Sequence, residues 1–530
     1  MAKRITFDDV ARQALRRGVD QLAGAVRVTL GPRGRHVVIE RLDGAPSITN
    51  DGFAIAQEIE LQDRFEDLGV RMLREVASQT AAAAGDGTTT ALVLAQALIV
   101  DGLRAVTAGQ RPTALKRGID KAVATVVASL RASSRRLERP EDIAHVATIA
   151  AGNDAALGAM IAEAMGRVGQ SGVITVEDGR GTSTTLDLVE GLRFDQGYLS
   201  PYFVTDPEQM AVKLEDPLLL LTDRKLSSVA EVVTALELAA NASRPLLIVA
   251  EDVEGEALAT LVVNRLRGTA TSVAVRAPGH GDNQRAMLED LAVLTGSRLM
   301  TRESGLSPER LIEQDLGRAK RAEINRDSTV VLEGGGRPRE IKERISALEH
   351  QLRKSDRESE REPLRTRLGR LSGGVAVMRV GAHTELELRE RKSRIEDALA
   401  ATRAAVEEGI VPGGGVALLR AQSALDSLQL EGDAQIGVNL VRKALEAPLR
   451  LIASNAGENG ALVVERVREG TGAFGFDAMR GDYADLAERG ILDATKVVRC
   501  ALENAASIAT LILTTDAVVV DCDDDQAPPE

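Results

Sequence analysis

The chain has 530 residues, a formal net charge of -13, 44% hydrophobic residues and only 2% aromatic residues. This length predicts about three domains with a large aliphatic core, and the acidic balance argues against nucleic acid as the main partner. Cys500 and Cys522 are too few for a disulfide framework, and no histidine or cysteine spacing fits a structural zinc site.

The N-terminal stretch, residues 1–9, lacks the apolar core of an export signal. We expect no apolar run long enough to span a bilayer, and therefore no membrane partner. The sequence thus predicts a cytoplasmic protein.

The first predicted helix ends at a glycine- and proline-containing turn, Thr29-Leu30-Gly31-Pro32. A short strand is predicted over residues 36–39. Ile48-Thr49-Asn50-Asp51-Gly52 follows, and its composition is that of a tight turn, which on its own favours a plain hairpin.

A glycine-rich break, Gly85-Asp86-Gly87-Thr88-Thr89-Thr90, separates two long helical patterns. Its glycines let the backbone approach an anion closely, and we expect Thr88, Thr89 and Thr90 to cap the second helix beside its positive N-terminus. A carboxylate repels phosphates, so Asp86 suggests a magnesium ion between the two. The alternative is a simple helix break with threonine caps.

The middle of the chain changes character twice. Residues 134–189 read as helical and charged, with a strand near their end, whereas strands alternate with helices from residue 191 to about 375, which predicts an α/β domain. Within that domain we expect residues 338–371 to form two charged helices with a solvated outer face. A helix over residues 385–408 and a mostly helical last third complete the pattern.

No P-loop and no dinucleotide-binding glycine turn are present, so the common nucleotide motifs are excluded. Phosphoryl transfer to water needs a group that orients the water. Asp397 is the candidate, although a lone helical aspartate is usually a solvated surface charge.

Three stretches together carry a family resemblance: residues 85–90, residues 396–409 and residues 251–264. From Phe7 to about Thr515 the sequence resembles the group I chaperonins, the bacterial-type heat-shock chaperonins of the GroEL family. The resemblance implies a multidomain fold with a mainly α-helical equatorial ATP domain (1–133 and 408–530), a small α/β intermediate domain (134–189 and 376–407) and an α/β apical domain (190–375).

The resemblance also implies ATP, Mg²⁺ and K⁺ as cofactors. Asp397 would activate water and Asp51 would lie near the γ-phosphate, with Asp86 as the Mg²⁺ ligand and Thr29, Asn50 and Thr89 near K⁺. The family usually has lysine where this chain has Asn50. Residues 476–479, which would lie beside the adenine base of ATP, also depart from the family's usual sequence. The implied nucleotide-binding residues are Thr29, Leu30, Gly31, Pro32, Asn50, Asp86, Gly87, Thr88, Thr89, Thr90, Gly414, Asp477, Ala478, Met479 and Asp493.

Client binding is implied on exposed apolar faces of the apical domain. The partners would be non-native polypeptides, a GroES-type co-chaperonin and further copies of the chain in heptameric, stacked rings. One alternative stays open, a divergent paralogue that binds clients or other partners with little refolding activity. A free-standing ATPase acting on a small metabolite finds no support, because the sequence has no substrate-like constellation. The implied client-binding residues are Tyr198, Tyr202, Phe203, Val233, Leu236, Leu258, Val262 and Val263.

Several positions depart from the family at contacts between subunits. Gln196 replaces an arginine that would pair with the counterpart of Glu385, which predicts altered coupling. Asn459 and Gly432 replace acidic residues opposite Arg450 and Arg104, so we expect unpaired arginines and a weaker double ring. The acidic tail, residues 521–530, replaces the family's flexible tail.

Overall fold

The structure is a computed structural model that describes residues 3–40, 46–137, 139–168, 173–179, 181–189, 191–206, 210–301, 303, 306–354, 358–372 and 375–521. Cys522 and the rest of the predicted acidic tail lie outside these residues. The helices are α1 Asp8–Val26, α2 Gly52–Glu58, α3 Arg64–Ala84, α4 Thr88–Thr107, α5 Pro112–Ser133, α6 Pro140–Ala150, α7 Ala155–Val168, α8 Ala230–Asn241, α9 Gly255–Leu266, α10 Gly281–Thr295, α11 Pro338–Lys354, α12 Glu358–Ser372, α13 Glu385–Glu408, α14 Val416–Ala421, α15 Asp433–Ala444, α16 Ala447–Asn455, α17 Gly460–Glu469 and α18 Thr495–Thr514.

The strands are mostly short and form several separate sheets. They are β1 Lys3–Phe7, β2 Val37–Ile39, β3 Ser47–Thr49, β4 Val173–Asp178, β5 Thr185–Val189, β6 Gly191–Phe194, β7 Val212–Glu215, β8 Leu218–Leu221, β9 Lys225–Leu226, β10 Leu246–Ala250, β11 Asp252–Val253, β12 Ser272–Arg276, β13 Gly317–Ile324, β14 Thr329–Gly334, β15 Val375–Val380, β16 Ile410–Pro412, β17 Phe474–Asp477, β18 Asp482–Asp485, β19 Leu492–Ala494 and β20 Ala517–Asp521.

The chain divides into two compact units. The first comprises Met1–Glu163, Asp178–Thr184 and Val380–Glu530, and the second comprises Ala164–Glu177 and Thr185–Arg379. Both ends of the described chain belong to the first unit, where β1 and β20 pair antiparallel with Lys3 opposite Asp521. The boundaries of the three domains that are expected from the sequence stay a prediction.

Helices packed at short range build the first unit. Because aromatic residues are scarce, glycines bring helix backbones together: a Cβ on Gly18 of α1 would lie 1.9 Å from the Glu66 carbonyl oxygen of α3, and one on Gly69 of α3 would lie 2.1 Å from the Leu15 carbonyl oxygen of α1. Any larger residue at either position would force these helices apart. The glycines therefore set the spacing of α1 and α3.

Two long apolar helices, α4 and α18, pack against each other in this core. Both are long and apolar enough to cross a membrane, so the expectation that no such run exists was wrong on length and composition. Half of the most apolar 18-residue segment of α4 is buried inside the protein, and for α18 the buried share of that segment is 56%. Buried core helices of soluble proteins can be equally long and apolar, so two such helices are weak evidence for a membrane span.

The second unit is built on a mixed sheet in the order β12-β10-β8-β13-β14-β6, with β7 also paired to β13. Strands β8, β10 and β12 are parallel and almost wholly buried, because the apolar runs 218–221, 246–250 and 272–276 are covered on both faces. The predicted α/β pattern is confirmed for these strands, and the remaining pairings in this sheet are antiparallel.

The two charged helices expected over residues 338–371 are α11 and α12. Their outer faces are solvated, but the interpretation is incomplete because Asp290 of α10 accepts hydrogen bonds from Arg344 of α11 (2.7 Å) and Arg367 of α12 (2.6 and 2.8 Å). Asp290 and Arg367 are buried. This ion-pair cluster joins the three helices, which charge patterning alone did not indicate.

Arg104 and Arg450, which are expected to lack acidic partners across the contact between rings, each have an acidic partner within the chain. Arg104 pairs with Asp101 at 3.1 Å, and Arg450 pairs with Glu446 at 2.8 Å, each within one turn of its own helix. Asn459 also has a local role: its side-chain oxygen caps α17 by accepting from the amides of Ala461 (3.0 Å) and Leu462 (3.4 Å). Asparagine is among the favoured capping residues.

This capping role gives a stability prediction. Asn459→Ala should lower the free energy of unfolding by about 1 kcal/mol because α17 loses its N-terminal acceptor, whereas Asn459→Asp should be nearly neutral. Urea unfolding followed by circular dichroism measures both variants. Equal stabilities for the alanine and aspartate variants would contradict the capping role.

Candidate functional site

One cavity in the first unit, about 330 Å³ in volume, gathers every residue that the sequence predicted for nucleotide binding and catalysis. They come from seven separate stretches of the chain. These lining residues are Thr29, Leu30, Gly31, Pro32, Asn50, Asp51, Asp86, Gly87, Thr88, Thr89, Thr90, Asp397, Gly414, Asp477, Ala478, Met479 and Asp493.

The glycine break at residues 85–87 forms one wall of the cavity. Gly85 ends α3 and Gly87 begins α4, both in the left-handed conformation with φ of 69° and 80°. A Cβ on Gly85 would lie 2.2 Å from the Ala400 Cβ of α13, and one on Gly87 would lie 2.5 Å from the Val497 Cγ1 of α18. Glycine is required at both positions, because the turn needs positive φ and two helices leave no room for a side chain.

The start of α4 differs from the sequence expectation in one respect. Gly87 is the N-cap, and no side chain caps the first turn, so the expected threonine caps were wrong. The hydroxyls of Thr29 and Thr89 instead lie 3.4 Å apart beside the cavity. A helix N-terminus without a side-chain cap leaves backbone N–H groups and the positive end of the helix dipole available to an anion.

Asp51 is part of a strand-to-helix junction and not of a hairpin turn. Its two carboxylate oxygens accept from the amides of Phe53 (2.9 Å) and Ala54 (3.1 Å), which caps α2. The following residue, Gly52, lies against α4, since a Cβ there would be 2.2 Å from the Thr89 hydroxyl. The capping bonds therefore fix the Asp51 carboxylate at the edge of the cavity.

The opposite end of the cavity is formed by the turn after β17. The Asp477 carboxylate accepts from the amides of Met479 (3.0 Å) and Arg480 (3.1 Å) and from the Arg489 guanidinium (2.9 Å). Both of its oxygens are thus engaged in shaping the turn. Arg33 donates to the Met479 carbonyl at 2.9 Å and ties this turn to the loop that carries Pro32.

Asp493 reaches the cavity through the pairing of β16 with β19, in which Val411 lies opposite Asp493. The strand β16 leads into Gly413, and a Cβ there would lie 3.0 Å from a carboxylate oxygen of Asp493. The triple glycine at 413–415 therefore packs closely against this acid and continues into α14.

Three of the cavity's carboxylic acids have raised pKa values. Burial is the main cause for each: it raises the pKa of Asp86, raises that of Asp397 well above its usual value, and raises that of Asp493 to about 7. Mutual repulsion adds to burial, because Asp51 and Asp86 act on Asp397, and Asp86 acts on Asp493. Within the described part of the chain, no hydrogen bond or ion pair offsets the effect at Asp397 or Asp493.

These acids suit a divalent cation held jointly by protein and ligand. Among the described residues, no three His, Cys, Asp or Glu side chains lie close enough to hold a metal ion by themselves. Mg²⁺ is commonly bound through one or two carboxylates, with phosphate oxygens and waters completing its shell. Asp86, beside the α4 N-terminus, fits that role.

The sequence analysis missed further residues at the cavity. On α13, Glu390, Ser393 and Arg394 line it together with Asp397. The signal was available, because residues three, four and seven apart share one helix face. Arg33 and Arg489 do not line the cavity but form hydrogen bonds with the turn after β17. No sequence pattern indicated this role for either arginine.

The sequence of the chain also matches a known protein family. The chain matches the model of the TCP-1/cpn60 chaperonin family over residues 22–523, nearly its whole length. The chain belongs to this family. Its members act as protein-folding chaperones, so chaperone function follows for this chain at that level.

The eight expected client-binding residues of this chaperonin divide into three groups: exposed, partly buried and buried. Tyr202, Val263 and Val233 are exposed by 66%, 43% and 37%. Tyr198, Leu258 and Val262 are partly buried against the core of the second unit.

Two members of the predicted set, Leu236 and Phe203, were wrongly placed on the surface. Leu236 is 6% exposed because it shares the inward face of α8 with Val232, Ala235 and Ala239, while Phe203 is fully buried. Neither side chain is available to a client.

The raised pKa of Asp493 gives a pH-dependent prediction for the nucleotide-free chaperonin. Its folded-state pKa of about 7 exceeds the unfolded value of about 3.9, so stability falls as pH rises between them. Asp493→Asn should therefore unfold at a higher temperature than the parent at pH 8, and this difference should shrink toward pH 5. Thermal unfolding at both pH values measures it, with the exposed Asp120→Asn as control. An Asp493→Asn shift that does not change with pH would contradict the raised pKa.

Proposed function

We propose that this chaperonin is an ATP-driven folding chaperone and that the cavity of the first unit is its ATPase site. The convergence of residues from seven stretches on one acid-rich cavity at the open N-terminus of α4 supports the proposal most strongly. Such a helix end binds phosphates, and Thr29 and Thr89 add hydroxyl groups beside it.

Each acid at the phosphate end would have its own task. Asp86 would hold magnesium, which would neutralise phosphate charge when bound. Asp397 would orient and deprotonate the attacking water, because burial raises its pKa well above the usual value and a carboxylate with a higher pKa is a stronger base. Asp51, fixed by its capping bonds, would help position that water. K⁺ near Thr29, Asn50 and Thr89 is part of the proposal.

The end of the cavity at the turn after β17 would bind the adenine base, and it would recognise the shape of the base more than its hydrogen-bonding groups. Asp477 directs both carboxylate oxygens at its own turn and at Arg489. The ligand would therefore meet Ala478, Met479 and neighbouring backbone. Asp493, at the other side of the triple glycine, would accept from ribose hydroxyls.

Clients would bind to exposed apolar residues of the second unit. Tyr202, Val233 and Val263 offer apolar surface to water, and such surface binds polypeptides that expose hydrophobic residues, whatever their sequence. Assembly into heptameric double rings closed by a GroES-type co-chaperonin, in the cytoplasm, belongs to the same proposal. In the alternative, a divergent paralogue, clients would bind but would not be released folded.

The division of labour between two acids predicts distinct kinetic defects. Asp397→Ala should lower kcat by about 100-fold or more with ATP affinity largely kept, because it removes the general base. Asp86→Ala should weaken both Mg²⁺-dependent binding and turnover. Steady-state hydrolysis and calorimetric binding separate the two defects. Turnover at the parent rate in Asp397→Ala would contradict the catalytic assignment.

A matched pair on α8 tests the client surface. Val233→Ser should weaken capture of an unfolded polypeptide and leave the fold intact, since it removes exposed apolar area worth about 25 cal/mol per Å². Leu236→Ser, three residues away, should instead destabilise the second unit by about 2 kcal/mol or more because that side chain is buried.

Aggregation-suppression assays and thermal unfolding measure this pair. If Val233→Ser captures clients as well as the parent does, the exposed face of α8 is not a client-binding surface.

A further inference from the structure

The cavity side of α13 carries a stripe of four polar residues. Glu390, Ser393, Arg394 and Asp397 all line the cavity. At about 1.5 Å of rise per residue, Arg394 lies about 4.5 Å along the helix axis from Asp397. A long arginine side chain one turn from the proposed general base can reach the phosphate that the water would attack.

Arg394 stands out by its charge. Among the described residues that line the cavity it is the one basic side chain, against six acidic ones: Asp51, Asp86, Glu390, Asp397, Asp477 and Asp493. Asn50 lines the cavity as well and is neutral. A bound triphosphate would thus find a single positively charged side chain in the cavity wall.

Within the structure, Arg394 is held by a short ion pair with Glu390, one turn earlier on the same helix. The two side chains are 27% and 20% exposed, so both are mostly withdrawn from bulk water and their interaction is weakly screened. The Arg394 Nε also lies near the turn after α6, 3.6 Å from where a Cβ on Gly152 would be. The guanidinium is therefore held at the cavity wall.

We propose that Arg394 binds the terminal phosphate of the nucleotide and that Glu390 competes for the same guanidinium when no nucleotide is bound. This inference rests on the proposed ATPase function of the cavity. Arginine is suited to the exchange, because its planar fork binds a carboxylate or a phosphate in the same bidentate geometry. Arg394 would thereby distinguish a triphosphate from a diphosphate.

The proposal predicts opposite effects for the two partners. Arg394→Gln should weaken binding of a non-hydrolysable ATP analogue by about tenfold or more, with a much smaller effect on ADP. Glu390→Gln should tighten analogue binding by about threefold or more, because it removes the competing charge and one negative charge from the cavity. Calorimetric titration in the presence of Mg²⁺ measures both nucleotides.

The same helix supplies the control. Arg389 forms an equivalent pair with Glu385, four residues earlier, but both residues lie outside the cavity lining and are more than 70% exposed. Arg389→Gln should leave both affinities unchanged. Arg394→Lys, which keeps the positive charge, should retain part of the preference for the triphosphate and provides a test if Arg394→Gln does not fold.

The outcomes separate this inference from the function on which it rests. Parent protein that fails to bind the analogue would overturn the ATPase proposal itself. Parent protein that binds it, while Arg394→Gln keeps the parent preference for triphosphate, would overturn the role of Arg394 alone. Equal weakening of ADP and analogue in both the Arg394→Gln and Glu390→Gln variants would show a purely structural ion pair and would likewise overturn it.

Discussion

Like charges enclosed in one cavity are the constraint on which the first unit depends. Asp86, Asp397 and Asp493 are withdrawn from bulk water and repel one another or Asp51, and each has a raised pKa as a result. A fold optimised only for stability would replace such acids by neutral side chains. A bound cation would relieve their cost and so would couple occupation of the cavity to the free energy of the whole unit.

Neighbouring features follow from keeping these acids close together. Because Gly85 and Gly87 have no side chains, α13 and α18 pack directly against the loop that carries Asp86. The pairing of β16 with β19 places Asp493 against the triple glycine. Each acid sits on an element packed into the core, so none can move far from the others. Arg394, on the same face of α13 as Asp397, brings the one positive side chain of the described lining into this acidic environment.

Much of the fold was readable from sequence where one physical signal dominated. The helix over residues 385–408 was placed with the bounds that the structure shows, and the alternation of strands and helices predicted after residue 191 is present in β8, β10 and β12 with the helices between them. Periodicity fails where a decision depends on a tertiary neighbour: α8 has an apolar stripe, but only packing decides that Leu236 points inward and Val233 outward. The backbone hydrogen bonds that Asp477 and Asn459 accept were likewise not predicted, because composition does not encode such local geometry.

The most direct test of this account is the Mg²⁺ dependence of ATP binding in the parent protein. Coulomb repulsion between a carboxylate and a phosphate about 4 Å apart costs about 4 kcal/mol at an effective dielectric constant of 20. Titration of ATP by calorimetry, with excess Mg²⁺ and then with a chelator, should show affinity falling by about 100-fold or more without the metal. Equal affinity in the two conditions would contradict the claim that the carboxylates of this cavity require a cation to accept a nucleotide.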